Sequence, residues 1–515
     1  MNARHPARAG TRLIAVAALL LAWVVACHAS GQPAPPRDSR YVLQLEPFAE
    51  HAGENAIDLT HAGDGSGRLF VSTQSGQVFV FNQHGNRLGV FLDIAAADVG
   101  FTRTRGSFNG LMYIAFHPDY ARPGAPGEGL IYTGHQVAVD EQVPDFDSRD
   151  FGGLGDSDIR FMLAEWRVDP DNPNRIDPAS HRRVMLIHFR TYAQNPHALG
   201  ELAFNPYAEP GEADYGRLYV AVGDSHSGDY SQPTNLARVQ QPDNPFAKIL
   251  RIDPLQRDGQ PYTIPEDNPF GTEAYALGLR DAQSFSFARD FEGQPVIVAF
   301  DIGAMKVEEV NLVRAGGNYG WDRYEGTLGF DNERQVNGVA IPPAAQYGRI
   351  FQRYPGAEPS GGPAAIIGGL VVSDPDHPGF RGQILFGDLP RGTLMHVNYH
   401  HALSVEAEGG QSIPYVMQVR LGDRTGSFAD VINADRGDTR FGFDEAGNVY
   451  IVSKQTGTIF RTGLVYTGLP VESQPRVAKS GGAQSWAIGV ILGVCVGLLL
   501  IVAMVLLARR RSAET

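Results

Sequence analysis

Three stretches of the chain carry side chains able to handle protons, anions or cations. In NPHALGELAFNPYAEPGEADYGRLYVAVGD, residues 195–224, His197 stands in a loop just before one strand and Asp224 at the end of the next. An imidazole titrating near neutrality is the usual side chain for taking a proton; as a bare pattern it is equally an ordinary loop residue, and an Asp after Val-Gly also caps turns. In NPFGTEAYALGLRDAQSFSF, residues 268–287, Arg280 and Asp281 adjoin between apolar stretches. A planar guanidinium suits two-point binding of carboxylates, and the same pair would also serve to hold a seam between sheets. In DIGAMKVEEVNLVRAGGNYGWDRYEG, residues 301–326, Glu308 and Glu309 precede the aromatic residues Tyr319, Trp321 and Tyr324. Carboxylate and backbone oxygens in a Gly-rich turn are what calcium prefers, and Trp or Tyr faces stack on a flat cofactor or sugar. Taken singly, none of these signals is specific.

The elements that must position these residues are strands. The chain has 515 residues and a net charge of -14, with 43% hydrophobic content, which excludes disorder and collagen. Gly 60 and Pro 34 make up roughly a fifth of it, against about 12% in average proteins, so turns are frequent and long helices few. Lysine occurs only at 248, 306, 454 and 479, and no basic run lies outside the chain ends, so nucleic acid is not expected as a partner. A Gly followed by a short β-rich apolar run recurs at Gly67, Gly129, Gly216, Gly293, Gly382 and Gly447, with spacings of 62, 87, 77, 89 and 65 residues. Such spacing suits a four-stranded antiparallel sheet with loops of variable length, and six of them in a ring make a six-bladed β-propeller. Loops from all blades gather at one face of a propeller, so the longer inserts, 136–165 and 325–365, mark the working side. The first is strongly acidic and reads as a solvated loop able to hold a cation loosely.

In order along the chain, HPDY from 117, His197 before FNP, LYVAVGD, LRIDP, NPFG, GLRDAQSFSF, EEVNLV with GGNYGW and EG, GG at 368 and FGDLPRG around 387 resemble the glucose/sorbosone dehydrogenase family of soluble-type quinoproteins. The resemblance spans roughly residues 45–465. It implies a six-bladed propeller that binds pyrroloquinoline quinone (PQQ) and calcium and oxidises the C1 hydroxyl of an aldose, passing electrons to an acceptor the sequence does not name. By the same resemblance His197 is the general base, and Gly303 and Ala304 form the turn whose carbonyls hold calcium. Glu309 and the Tyr319 carbonyl match a second calcium position, Arg280 contacts the cofactor, and Arg436 or Arg440 falls where further anion-binding arginines lie. Asp281 and Trp321 complete the expected cofactor surroundings.

The chain departs from the family pattern at three places. Asp281 and Ala282 stand where Asn and Pro usually follow the arginine, Gly303-Ala304-Met305 replaces a turn with polar side chains, and Pro390 then Arg391 stand where a lysine is expected. A retained scaffold with an altered pocket makes a non-catalytic sugar- or protein-binding member the alternative. In that alternative Met305 closes the pocket and Asp281 repels the cofactor. A calcium-dependent lactone hydrolase is a third class that uses six blades.

The two ends speak about location. Arg4, Arg8 and Arg12 precede the apolar run Leu13 to Ala26, the pattern of an export signal over residues 1–29. Val24-Val25-Ala26-Cys27 also fits the box before a lipidated cysteine. Residues 40–466 form the propeller, 467–485 a linker, and 486–508 an uncharged span, about 34 Å long as a helix, followed by Arg509-Arg510-Arg511 in a 509–515 tail. This is the pattern of a transmembrane helix with its basic flank inside, which puts the body on the outer, periplasmic or extracellular, side of the cell membrane. Ser480-Gly481-Gly482 also resembles the start of a processed sorting tail. Cys27 and Cys495 are the only cysteines, so no disulfide staples the body. Truncation after Lys479 is expected to release soluble protein in a fractionation experiment. Release that instead needs Cys27→Ala would make the lipid the anchor.

Overall fold

The six glycines that open the repeats all sit in the left-handed region, at φ between 67 and 79°, where a side chain would be strained. Each turns the chain into a strand whose side chains are almost wholly buried, such as Leu69–Thr73, Leu218–Val222 or Val449–Ser453. Burial on both faces is why these strands read as continuous apolar runs rather than alternating ones. The structure is a computed structural model that describes residues 33–468, apart from 51, 54, 105–108, 193–196, 227–235, 332–333, 350–363, 373–376, 378 and 391.

The strands form antiparallel sheets in chain order. Ala56–His61, Leu69–Thr73, Gln77–Phe81 and Arg87–Asp93 make the first. Leu111–Phe116, Leu130–Val137, Ser157–Asp169 and Asn172–Thr191 make the second, with Phe146–Asp147 added parallel to its last strand. Leu199–Phe204, Leu218–Val222, Lys248–Ile252 and Ala274–Leu277 make the third, and Ala282–Arg289, Pro295–Asp301, Val307–Val313 and Ala345–Gly348 the fourth. Tyr324–Glu325 and Leu328–Gly329 pair as a small two-stranded ribbon. The remaining strands join in one nine-stranded sheet, whose order runs Ile366–Val372, Gln383–Asp388, Thr393–Asn398, Tyr415–Leu421, then Arg37–Ala49, then Ile459–Tyr466, Val449–Ser453 and Thr439–Phe443, with Arg424–Gly426 paired to Tyr415–Leu421 off this path. The amino-terminal strand thus lies parallel to Tyr415–Leu421 on one side and antiparallel to Ile459–Tyr466 on the other.

The leading strands of these sets pack on one another in sequence. Ala56–His61 contacts Leu111–Phe116, which contacts Leu199–Phe204, then Ala282–Arg289, Ile366–Val372 and Thr439–Phe443, which returns to Ala56–His61. The result is an all-β, propeller-like arrangement with apolar clusters between neighbouring sheets, for example around Tyr132, Phe161, Phe189 and Phe246.

The leading strands also turn polar side chains toward one another. Tyr113 Oη donates to the Gln283 carbonyl at 2.7 Å, Asp58 accepts from the Ile114 N–H at 3.2 Å, and Glu201 accepts from the Phe285 N–H at 2.8 Å. Arg440 is 2% exposed on the last leading strand and acts on Asp58 and Glu201 electrostatically. Its expected place at an open cofactor surface is corrected: Arg440 is buried, where it opposes the rise that burial imposes on these carboxyls.

The acidic insert is in part the solvated loop expected, since residues 138–145 are mostly exposed. Residues 157–165 instead belong to a long strand, and Asp140 pairs with Arg160, Asp145 with Arg183, Asp147 with Arg149, and Asp158 with Arg190. These pairs take up much of the charge that the sequence left free for a cation. The expected export signal with Cys27 and the expected helix 486–508 with its tail lie outside the described residues. Among the described residues no helix is long and apolar enough to cross a membrane.

Burial raises Asp58 to about 7, backbone hydrogen bonds and Arg440 opposing it, and likewise raises Asp301 to about 7. A carboxyl that titrates higher folded than unfolded keeps its proton only in the folded state across that window, so stability falls as pH rises from about 4 to about 7. The melting temperature is expected to be several degrees higher at pH 5 than at pH 8. Asp58→Asn should flatten the curve, and a melting temperature that rises with pH would contradict this assignment.

Candidate functional site

His197 is brought to Asp224 by backbone. The His197 N–H donates to the His226 carbonyl at 3.0 Å, Ser225 N–H to the His197 carbonyl at 3.1 Å, and Gly223 N–H to the Ala198 carbonyl at 2.7 Å. This zips the approach to one strand onto the exit from the next. Gly223 permits it, because a Cβ there would meet His197 Cβ at 2.6 Å. His197 Nδ1 then lies 2.7 Å from Asp224 Oδ1.

Hydrogen bonding fixes the imidazole tautomer. Arg280 Nη2 lies 3.3 Å from His197 Nε2, and a guanidinium can only donate. Nε2 is therefore the acceptor, and Nδ1 carries the proton that it gives to Asp224. Asp224 is fully buried, and its other partners are the His226 N–H at 2.9 Å and the Trp321 Nε1–H at 3.0 Å. Burial alone would raise this carboxyl, but its interaction with His197, aided by Arg280, holds it well below the usual range. Arg238, which the sequence did not single out, donates to the Asp224 carbonyl at 2.6 Å. The arrangement is a base with its lone pair outward and a carboxylate behind it, which can take a proton from a hydroxyl.

Around the dyad the expected residues divide. Arg280 stands at the centre, 5.5 Å above the Trp321 ring. Trp321 is 2% exposed, with Phe330 at 4.5 Å, so its expected stacking face is corrected to a buried donor for Asp224. Asp281 Oδ2 lies 3.9 Å from His197 Nε2, while its Oδ1 accepts from Gln283 Nε2 at 2.8 Å. Arg436 is half-exposed, 3.7 Å from Asp438. Burial and then Arg440 draw Lys454 down to about 7, with Arg103 and Arg436 adding to this and Asp438 opposing it. Arg103, Arg436, Arg440 and Lys454 thus lie close enough to act on one another. Met305 is 62% exposed, so it does not plug the site as the binding alternative supposed.

The calcium positions can be tested on their donors. Arg280 Nη1 donates to the carbonyls of Ile302 at 2.7 Å and Gly303 at 2.8 Å, and Arg349 Nη1 donates to Gly303 as well. A carbonyl with two lone pairs taken by two guanidiniums does not fit a calcium ion. The Gly303 turn is held instead by Glu325, whose Oε1 accepts from the N–H groups of Met305, Lys306 and Val307 at 2.9, 2.6 and 2.9 Å. Ala304 packs its side chain against the cluster of Leu236, Val239, Ala247 and Trp321. Glu309 accepts from the Gly326 N–H and from Asn311; at Tyr319, whose carbonyl is the expected donor, the hydroxyl donates to the Leu312 carbonyl. Asp301, also missed by the sequence reading, accepts from the N–H groups of Arg280 and Asp281 at 2.8 and 2.6 Å. Among the described residues no three His, Cys, Asp or Glu side chains are arranged to hold a metal ion.

The glucose/sorbosone dehydrogenase family model matches residues 54–422. Among curated proteins, HIPL1 protein of Arabidopsis thaliana is 27% identical over 406 residues, covering 70% of this chain and 55% of that protein. Mouse Hedgehog-interacting protein is 26% identical over 236 residues, covering 44% and 29%. The chain spans about half the length of the HIPL1 protein and less than a third of Hedgehog-interacting protein. Among solved structures, the PQQ-bound aldose sugar dehydrogenase of Streptomyces coelicolor has a TM-score of 0.52 at 18% identity, over 84% of this chain and 100% of that one. The apo soluble aldose sugar dehydrogenase of Escherichia coli has a TM-score of 0.51 at 14% identity, over 82% and 99%. At these identities the structural likeness concerns the fold.

Replacing Asp224 by Asn sets an amide N–H2 against one of the N–H donors it now satisfies. The substitution is expected to cost about 1–3 kcal/mol in urea unfolding and to free the Nδ1 tautomer of His197, read by nitrogen NMR of the ring. Unchanged ring resonances would show that Asp224 does not set the tautomer.

Proposed function

The chain belongs to the glucose/sorbosone dehydrogenase family, and on that premise we propose that it oxidises an aldose or related sugar alcohol with His197 as the base. The observation that carries this is the fixed tautomer: Asp224 holds the Nδ1 proton, and Nε2 is left with its lone pair. A sugar hydroxyl reaching Nε2 displaces the long Arg280 contact from that lone pair and gives up its proton to it. Asp224, already ionised, stabilises the imidazolium that results.

The hydride acceptor proposed is PQQ, which supplies an electron-poor quinone when bound. The donor set fits an anionic ligand of this kind: Arg280 beside the dyad, and Arg103, Arg436 and Lys454 close to one another. Calcium is left out of the proposal because the Gly303 carbonyl and the Glu309 carboxylate are engaged. We count the nine-stranded sheet as two blades meeting at Arg37–Ala49, which makes six, in keeping with the closed circuit of leading strands. The proposed location, outside the cell membrane, rests on the two terminal segments of the sequence.

One observation favours a second reading, a non-catalytic propeller that binds a sugar or a protein: the Asp281 carboxylate lies close to Nε2, where an anionic cofactor would be repelled.

His197→Ala is expected to keep the melting temperature and quinone binding while dye-linked oxidation of aldoses falls about 10²–10⁴-fold. Asp281→Asn should tighten PQQ binding. No turnover and no PQQ absorbance change in either the native or the Asp281→Asn protein would establish the binding reading instead.

A further inference from the structure

The Gly303 turn is the position where the family resemblance puts calcium, and in this chain it is surrounded by positive charge. Arg280 and Arg349 both donate to the Gly303 carbonyl, and Arg280 takes the neighbouring Ile302 carbonyl as well. A calcium ion needs carbonyl oxygens at about 2.3–2.6 Å, and here it would have to displace two guanidiniums and then sit beside them. The geometry that a metal would impose is already imposed. Glu325 gathers three consecutive N–H groups of the turn on one oxygen, and the turn folds so tightly that a Cβ on Gly303 would meet the Val307 carbonyl at 1.6 Å.

Arg349 is not a stray surface side chain. Its Nη1 lies 2.8 Å from Oε1 of Glu308, which is fully buried, and the second oxygen of Glu308 accepts from the Ile366 N–H at 2.8 Å. The pair therefore ties the Gly303 turn to the start of the next leading strand, Ile366–Val372.

We propose that the Arg349 guanidinium, fixed by Glu308, stands in place of the calcium ion at the Gly303 turn, so that this site is complete without a metal. The proposal deepens the family reading given above, since it relies on Gly303 being the family's calcium turn. It makes the positive charge at the site a permanent part of the chain. It also explains a pairing the sequence left open: Glu308 is there to hold Arg349 and not to ligate an ion.

The test is thermal unfolding of the full-length chain with calcium chloride alone or with EDTA, no quinone being present. The native protein is expected to melt within about 1 °C under the two conditions, since a ligand that does not bind cannot stabilise. Arg349→Ala frees the Gly303 carbonyl and strips buried Glu308 of its partner. It should melt lower in EDTA and recover part of the loss in calcium. The double variant Arg349→Ala/Glu308→Gln removes both charges and should again ignore calcium. A native protein that calcium stabilises by several degrees overturns the proposal, and so does an Arg349→Ala protein indifferent to calcium. If Arg349→Ala is recovered folded only with calcium in the medium, that counts for the proposal; failure that calcium does not rescue counts against it. A parallel PQQ absorbance titration separates the two readings. Binding in EDTA supports both, and binding only with calcium overturns this one. No binding under either condition sinks the oxidation reading and leaves the melting data to decide here.

Discussion

A buried carboxylate has to be given hydrogen bonds or it will not stay ionised, and Asp224 shows how far the fold goes to meet that demand. Its donors come from the loop before one strand, the loop after another, and an indole nearly a hundred residues further along the chain. Each donor acquires a fixed orientation in return. His197 is locked in one tautomer, Trp321 is buried against Phe330 with Arg280 above it, and the loop carrying Arg238 is tied to the Asp224 backbone. The reactive geometry and the packing between the third and fourth sheets are thus one structure. A change that loosens Asp224 loosens both.

The repeats were legible because they rest on local rules. A glycine at positive φ followed by an apolar run marks each strand that is covered on both faces, and both signals survive in the residue letters. His197 and Asp224 were legible for a similar reason, each standing at a strand end. What the sequence could not reveal are pairings made at a distance. Glu308 reads as half of an acidic pair, and nothing near it in the chain announces Arg349 as its partner forty-one residues on. Trp321 reads as a stacking face because sequence carries no burial. The partners of Asp140, Asp145 and Asp158 in the acidic insert are hidden because Arg160, Arg183 and Arg190 lie on strands that only the sheet brings to them.

Arginine carries nearly all the positive charge of this protein, and its use around the site explains why. A guanidinium offers five donors in a rigid plane, so Arg280 can hold two carbonyls and an imidazole at once. A lysine in that position would make one or two of these contacts and remain free to rotate. Lys248 shows the contrast: fully buried, it points a single ammonium at backbone and amide oxygens, with the Phe246 carbonyl at 2.6 Å. Planarity lets arginine define geometry where lysine only supplies charge.

The strand Arg37–Ala49 leads the described residues, yet its partners are Tyr415–Leu421 and Ile459–Tyr466, near their other end. During synthesis this strand emerges first and must wait for almost four hundred residues before either partner exists. For that interval it is an unpaired edge of the kind that invites association with other chains. A chain exported while unfolded would avoid that exposure inside the cell, meeting all its partners together once it has crossed. Pairing the earliest strand with the last therefore makes completeness a condition of closure: a chain cut short anywhere before Ile459 has no antiparallel partner to offer its own beginning.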